Sequence, residues 1–261
     1  MDRKNVLITG GGKNIGKAIA AYFAERGYDV FITGRDPEET KKNAEALNAQ
    51  FPDVAVRGYQ LEMSKVDSIR TLFATLGKDA GKLDVLVCNA ADLGVGLDVY
   101  NTTEEDFDRL FDTNVKGTFF CVQEAAKLMI PNKSGAIVLM SSIQSKGAVE
   151  GRTIYSATKG ALNTLNCNLA YDLAPYGIRV NTVIAGAVHS NRWDTQDPAI
   201  TQERRKNYPV GRESTQEEIA GAVYYLASEA AATMTGSELT MDCGLSLNLL
   251  PYRDRKNHVG G

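Results

Sequence analysis

The chain has 261 residues, 43% of them hydrophobic and 23% charged, with a formal net charge of −3. That is the size and balance of one large globular α/β domain with ample core. No run nears the roughly 18 apolar residues of a membrane span, and neither the charge nor any basic stripe suits a nucleic-acid surface.

Asn5 to Thr9 reads as a short buried strand. A turn follows, Gly10-Gly11-Gly12-Lys13-Asn14-Ile15-Gly16, and then a helical pattern over 14–26. Strand, glycine-rich turn and helix make a phosphate cradle: glycines allow close backbone approach, and the helix start offers free N–H groups at the positive end of its dipole. The second strand, 29–33, ends in Gly34-Arg35-Asp36. A site for NAD usually has an acid there to bond the ribose 2′-hydroxyl. Here Gly34 lies near that place, and Arg35 and Lys13 are cations suited to a 2′-phosphate, so the expected cofactor is NADP(H). Asp36 would take the acidic role if the strand ran later, but Pro37 signals a turn already begun.

Further strands are expected near 54–60, 84–88, 135–140, 178–184 and 237–241. Helices are expected near 38–49, 65–77, 103–129, 153–173 and 215–227. This alternation predicts a doubly wound Rossmann fold, a seven-stranded parallel sheet with helices on both faces. No linker divides residues 1–261, which read as a single domain with a short tail over 247–261. The least regular stretch, 187–213, carries Pro198 and Pro209. It follows the sixth strand, at the carboxyl edge where ligands bind, and reads as a substrate lid.

The most informative stretch is Tyr155-Ser156-Ala157-Thr158-Lys159, thirteen residues after Ser142. Tyr and Lys at i and i+4 share one helix face. A nearby lysine cation favours the phenolate. Bringing a tyrosine from its ordinary pKa to about 7 takes roughly 4 kcal/mol, and the result is a group able to exchange a proton with an alcohol or a carbonyl. The pair alone also fits a solvated lysine beside a half-buried tyrosine.

Together these residues resemble the short-chain dehydrogenase/reductase family in its single-domain form, over roughly residues 4 to 246. Thr9-Gly10-x-x-x-Asn14-x-Gly16 matches the cofactor turn. Cys88-Asn89-Ala90-Ala91 stands at the strand-four motif, Asn114 at the helix asparagine, and Ser142, Tyr155 and Lys159 at the catalytic trio. Ile178-Arg179-Val180-Asn181, Ala185-Gly186 and Ser190 match the segment beside the nicotinamide, and Asp242-Cys243-Gly244 the closing motif. The departures are Asn14, Cys88, Ala91, Ala185 and Cys243, with Glu62 where an adenine-contacting aspartate is usual.

The resemblance implies hydride transfer between NADP(H) and a carbonyl or secondary alcohol. Tyr155 would be the acid/base, Ser142 the donor to the substrate oxygen, Lys159 the group that lowers the Tyr155 pKa and bonds the ribose, and Asn114 the holder of a water behind Lys159. A buried asparagine at a helix kink is the bland alternative for Asn114. Cofactor contacts are implied for Gly10, Lys13, Asn14, Ile15, Gly16, Arg35, Glu62, Asn89, Ala90, Tyr155, Lys159, Gly186, Val188 and Ser190.

Gln144, Glu150, Arg152, His189, Asn191, Arg192 and Trp193 are expected to fringe the substrate pocket. A sugar or polyol, a 3-oxoacyl thioester, a steroid and a secondary alcohol all stay open as substrates, with a polar hydroxylated or 3-oxoacyl-type carbonyl favoured. Two other classes stand beside this reading: a non-catalytic NADP(H)-binding regulator, and a sugar-nucleotide epimerase or dehydratase. No His, Cys and carboxylate cluster has metal-ligand spacing, so no metal is expected. The early first strand leaves no room for a signal peptide, and Cys88, Cys121, Cys167 and Cys243 lie in predicted core elements without C-x-x-C spacing, so a cytoplasmic protein with reduced thiols is expected. In the family the two long helices pair across a two-fold axis and the last strand builds a second interface, which implies a homotetramer.

Overall fold

A computed structural model of the chain describes residues 3–190, 193 and 196–247. Seven parallel strands form one sheet in the order β3-β2-β1-β4-β5-β6-β7: β1 Asn5–Ile8, β2 Asp29–Gly34, β3 Val56–Gln60, β4 Val85–Cys88, β5 Gly135–Ser142, β6 Ile178–Ala185 and β7 Glu238–Met241. The expected doubly wound sheet is the observed one. Its strands read as apolar runs because helices cover both faces. Alternate side chains divide accordingly. Val6, Ile8, Val30, Ile32, Val85, Val87 and Val138 pack on one face. Leu7, Phe31, Leu86, Ile137, Leu139 and Val180 pack on the other.

The first face is covered by α1 Asn14–Glu25, α2 Pro37–Gln50 and α8 Gln216–Ala227, the second by α3 Val66–Ala80, α5 Gly117–Met129 and α6 Thr153–Leu173. Phe23 of α1 sits edge-on to Tyr28 and Tyr224, locking α1 to α8. Burying a side chain such as Phe23 contributes roughly 1.5–3 kcal/mol. Capping boxes open α4 Glu104–Phe111, from Thr103 and Asp106, and α8, from Thr215 and Glu218.

Most expected elements stand within a few residues of their predicted ends. The predicted helix over 103–129 is interrupted, since α4 passes into a π-helical turn, Asp112–Lys116, before α5. The irregular stretch over 187–213 also holds a helix, α7 Pro198–Arg205. Pro198 reads as a breaker but occupies the first helical turn, where its missing N–H costs nothing. Asp197 caps that turn by accepting from the Ala199 N–H at 2.8 Å.

Candidate active site

The site lies at the carboxyl ends of β1, β4, β5 and β6. The turn after β1 is built for close backbone approach. Gly10 has φ +65° and Asn14 φ +46°; asparagine tolerates this left-handed region better than most residues, so the turn survives its departure from glycine. A Cβ on Gly16 would stand 2.1 Å from the Gly10 carbonyl oxygen, so only glycine fits there. The turn is braced from β4. Thr9 Oγ1 accepts from the Asn89 and Ala90 N–H groups, each at 3.0 Å. Asn89 Nδ2 donates to the carbonyls of Thr9 and Gly10, both at 3.1 Å. Asn89 thus holds the cradle's shape; its amide N–H groups are turned into the turn, not out toward a ligand. Thr9, the first residue of the turn motif, serves as its structural brace.

At the end of β2, a Cβ on Gly34 would stand 2.3 Å from Thr40 Oγ1. Thr40 is itself fixed by donating to the Asp36 carbonyl at 2.6 Å. Asp36 caps α2, accepting from the Glu39 N–H at 3.0 Å, and so is not the acid at the strand end. Arg35 is exposed, and its side chain has no ion pair or hydrogen bond among the described residues. Lys13 is differently placed: its Nζ pairs with Glu39 Oε1 at 2.7 Å. Glu62, after β3, turns its carboxylate onto the Ser64 hydroxyl at 3.0 Å.

Ser142 ends β5, and its Oγ accepts from the Gln144 N–H at 3.2 Å. Ser145 Oγ donates to the Ser142 carbonyl at 2.6 Å, and Asn163 Nδ2 to Ser145 Oγ at 3.0 Å, so α6 holds the serine turn. Tyr155 and Lys159 stand one turn apart on α6, Lys159 Nζ lying 5.5 Å from the Tyr155 ring centre. Lys159 is 3% exposed, and its Nζ donates to the Met140 carbonyl at 2.8 Å.

In the cofactor-free chain Lys159 is not among the groups that lower Tyr155. Burial pushes the Tyr155 phenol up to about 12, against the downward pull of the Arg152 cation and of its hydrogen bond with Ser142. The reason is that Lys159 is itself desolvated, which pulls it down to about 8, and that its ammonium is directed at a backbone carbonyl.

Asn114 lies in the π turn and is fully buried. Its Oδ1 accepts from the Asp92 N–H at 2.7 Å, and its Nδ2 donates to the Asp92 carbonyl at 2.9 Å and to Thr158 Oγ1 at 3.1 Å. The side chain is therefore spent on joining the loop after β4 to α6. π turns recur at functional sites.

Beyond β6, a Cβ on Gly186 would stand 2.6 Å from the Cα of Asp242, so the closing motif packs against the glycine. Val188 bridges Ser214 in parallel. The carbonyl of Ser190 accepts from the Trp193 N–H at 2.7 Å. Glu213 ties this segment down, its carboxylate taking both Arg205 Nε at 2.8 Å and His189 Nδ1 at 3.1 Å. Arg205 holds the Glu213 carboxyl down to about 2. Cys243 adopts φ +56° where the family motif has glycine, a conformation costing roughly 1–2 kcal/mol. Asn191 and Arg192, expected at the pocket fringe, lie outside the described residues, as does most of the tail over 247–261. Cys88 and Cys121 are buried thiols, but Cys167 is exposed, contrary to the expectation that all four cysteines are in the core. Among the described residues no cluster could hold a metal ion, and no helix is long and apolar enough to cross a membrane.

A glycine turn shaped for a pyrophosphate and a serine, tyrosine and lysine at the neighbouring strand ends can hold a dinucleotide against a polarised oxygen. The chain is similar to known proteins over nearly its whole length. A family model described as enoyl-(acyl carrier protein) reductase matches residues 10–246. The chain is 31% identical over 244 residues to the 3-oxoacyl-[acyl-carrier-protein] reductase FabG of Staphylococcus aureus, covering 93% of this chain and 98% of that one. Among solved structures it is similar to ElxO with NADP bound, at 31% identity and TM-score 0.88 over 95% of this chain and 100% of that one. It is also similar to an NAD+-bound xylitol dehydrogenase, at 28% identity and TM-score 0.85 over 91% and 97% of the two chains. Motifs, fold and relatives agree: the chain belongs to the short-chain dehydrogenase/reductase family of oxidoreductases.

Proposed function

We propose that the protein interconverts a carbonyl and a secondary alcohol using NADP(H), with Tyr155 as acid/base. The observation that carries this reading is the convergence of Ser142 at the end of β5 with Tyr155 and Lys159 on α6, beside the glycine turn. NADP(H) fits the residues present. Gly16 lets the turn fold tightly against the Gly10 carbonyl, Gly34 puts no acidic side chain at the end of β2, and Arg35 after it is a cation without a side-chain partner among the described residues. Among relatives, ElxO has NADP bound, which supports the same choice, whereas the xylitol dehydrogenase has NAD+ bound.

When bound, the nicotinamide supplies hydride to the carbonyl carbon or accepts it from the alcohol. In the reducing direction Tyr155 donates its proton to the substrate oxygen, and Ser142 donates a hydrogen bond to that oxygen. Burial alone holds the phenol up near 12, so catalysis requires the cations beside it and the bound cofactor to bring it toward neutral pH. Lys159 repays the lost proton and bonds the cofactor ribose once its ammonium leaves the Met140 carbonyl. Asn114 fixes the loop after β4 against α6; a water behind Lys159 would rest on main-chain groups, since the asparagine amide is already used. Residues 187–213 act as the lid, with Glu213 as its anchor.

A polar hydroxylated compound or a 3-oxoacyl-type carbonyl remains the favoured substrate, and the FabG relative supports the latter. The protein acts as a single domain on a small molecule, in the cytoplasm. The test is a carbonyl panel followed at the NADPH absorbance band. Turnover of any panel member supports the enzyme. Tight NADPH binding with no turnover on the whole panel would instead favour a regulatory binder, and turnover of sugar nucleotides without net NADPH consumption an epimerase.

A further inference from the structure

Arg152 precedes α6 directly and lies three residues before Tyr155. Its guanidinium carbon is 6.0 Å from the Tyr155 ring centre. One of its nitrogens donates to the Leu93 carbonyl at 2.5 Å, so the side chain reaches across to the loop after β4. A guanidinium carries five N–H donors, and no other hydrogen bond or ion pair is made by this one among the described residues. Asp92, on the same loop as Leu93, is already taken. Its carboxylate accepts from the Gly94 N–H at 2.9 Å and pairs with Arg109, which also holds Asp106.

The second cation of the site, Lys159, likewise bonds only a backbone carbonyl. Thus two positive groups flank Tyr155, and neither has a carboxylate partner among the described residues. A buried or half-buried charge is ordinarily paired. Leu93, whose carbonyl takes the Arg152 bond, and Val149, three residues before Arg152 in the chain, are apolar and exposed.

We infer that Arg152 anchors an anionic group of the substrate and that the substrate is a short oxo acid or hydroxy acid with its carboxylate close to the reacting carbon. The inference rests on the carbonyl and alcohol chemistry proposed above. A single planar fork between apolar walls suits one carboxylate. A phosphate dianion would call for further donors, and the other arginine nearby, Arg109, is committed to acids. The substrate's negative charge then supplies the counter-ion that the site lacks. It also carries the reacting carbon toward Tyr155 and Ser142, and a Lys in place of Arg would hold it less well.

The experiment compares pyruvate, 2-oxobutanoate and acetoacetate with their methyl esters and with butanedione, using NADPH. In the parent protein an acid should exceed its ester in kcat/KM by at least tenfold. Arg152→Gln should lower kcat/KM for the acid on the order of a hundredfold, mostly through KM, and bring the acid-to-ester ratio near one. Arg152→Lys should restore part of the ratio. A purely structural role would lower acid and ester alike and leave the ratio standing, which would overturn the inference. Reduction of butanedione and esters with no preference for acids would overturn it while leaving the proposed function intact. No turnover of any of these compounds despite NADPH binding would overturn the inference, and only failure on the wider carbonyl panel as well would remove the proposed function. Retained NADPH binding in each variant reports that it has folded.

Discussion

The hydroxyl of Thr40 occupies the space that a side chain at Gly34 would need, 2.3 Å from an added Cβ. The acid that bonds a ribose 2′-hydroxyl in NAD sites therefore cannot stand at residue 34 without moving the Thr40 hydroxyl off its bond to the Asp36 carbonyl. Arg35, next along, is exposed and has no side-chain partner among the described residues. Lys13 contributes less than its sequence position implies, because a 2′-phosphate must compete with Glu39 for it.

The expected outcome is a preference for NADPH over NADH that Arg35→Asp removes or reverses. A charge-assisted contact of this kind contributes roughly 1.5–3 kcal/mol, or about ten- to a hundredfold in kcat/KM. Steady-state kinetics with both cofactors check it. Equal kcat/KM for NADPH and NADH in the parent would refute it.

Tyr155→Phe should cut turnover by about a thousandfold or more while leaving the NADPH dissociation constant within about twofold. The substitution removes one hydroxyl and keeps the ring that Arg152 and Lys159 approach. Cofactor binding by fluorescence and turnover by absorbance separate the two effects. Activity within tenfold of the parent would dismiss Tyr155 as the acid/base.

How far the sequence disclosed this site depends on the range of the interaction. The neighbourhood of Ser142, Tyr155 and Lys159 was legible because β5 ends at Ser142 and one helix carries both Tyr155 and Lys159. Gly16 was legible from the glycine-turn motif and Gly34 from the absence of an acid at the end of the second strand. The direction of the Lys159 ammonium toward Met140 was not, because it is a rotamer choice between two elements. Nor was the use of the Asn89 amide on Thr9 and Gly10, which joins residues 80 and 79 positions apart. Helix α7 was hidden by Pro198, which marks a helix start as readily as a loop.

Lys159 should cost the cofactor-free protein stability. Its folded pKa, about 8, lies below its ordinary value of 10.5 because burial penalises the ammonium. Between those values the unfolded chain binds more protons than the folded one, so stability from this group rises with pH across the window from about 8 to 10.5. At pH 7 the penalty is on the order of 3 kcal/mol. Lys159→Met should therefore raise the melting temperature of the cofactor-free protein at pH 7 by several degrees, with a smaller gain at pH 10, while abolishing turnover. Thermal unfolding monitored by circular dichroism at both pH values measures this. A lower melting temperature at pH 7 would mean that the bond to Met140 outweighs the desolvation.

The last expectation concerns assembly. Phe107 and Phe119 are 43% and 37% exposed on the α4 and α5 faces, and Phe107 stacks on Phe111 at 4.6 Å. Tyr171, near the end of α6, is 83% exposed. Such apolar surface on neighbouring long helices is costly to leave in water and suits a partner of like kind. Ala157, Gly160 and Ala161 keep the α6 surface low, so that two helices can approach closely. A two-fold contact through α4, α5 and α6, with a second through β7 at the open edge of the sheet, closes a tetramer. Light scattering should give a mass about four times the 28.3 kDa of the chain. A dimer mass would remove only the β7 contact. Phe107→Glu with Phe119→Glu should weaken the helical contact and lower the mass. A monomer at micromolar concentration in the parent protein would rule out both contacts.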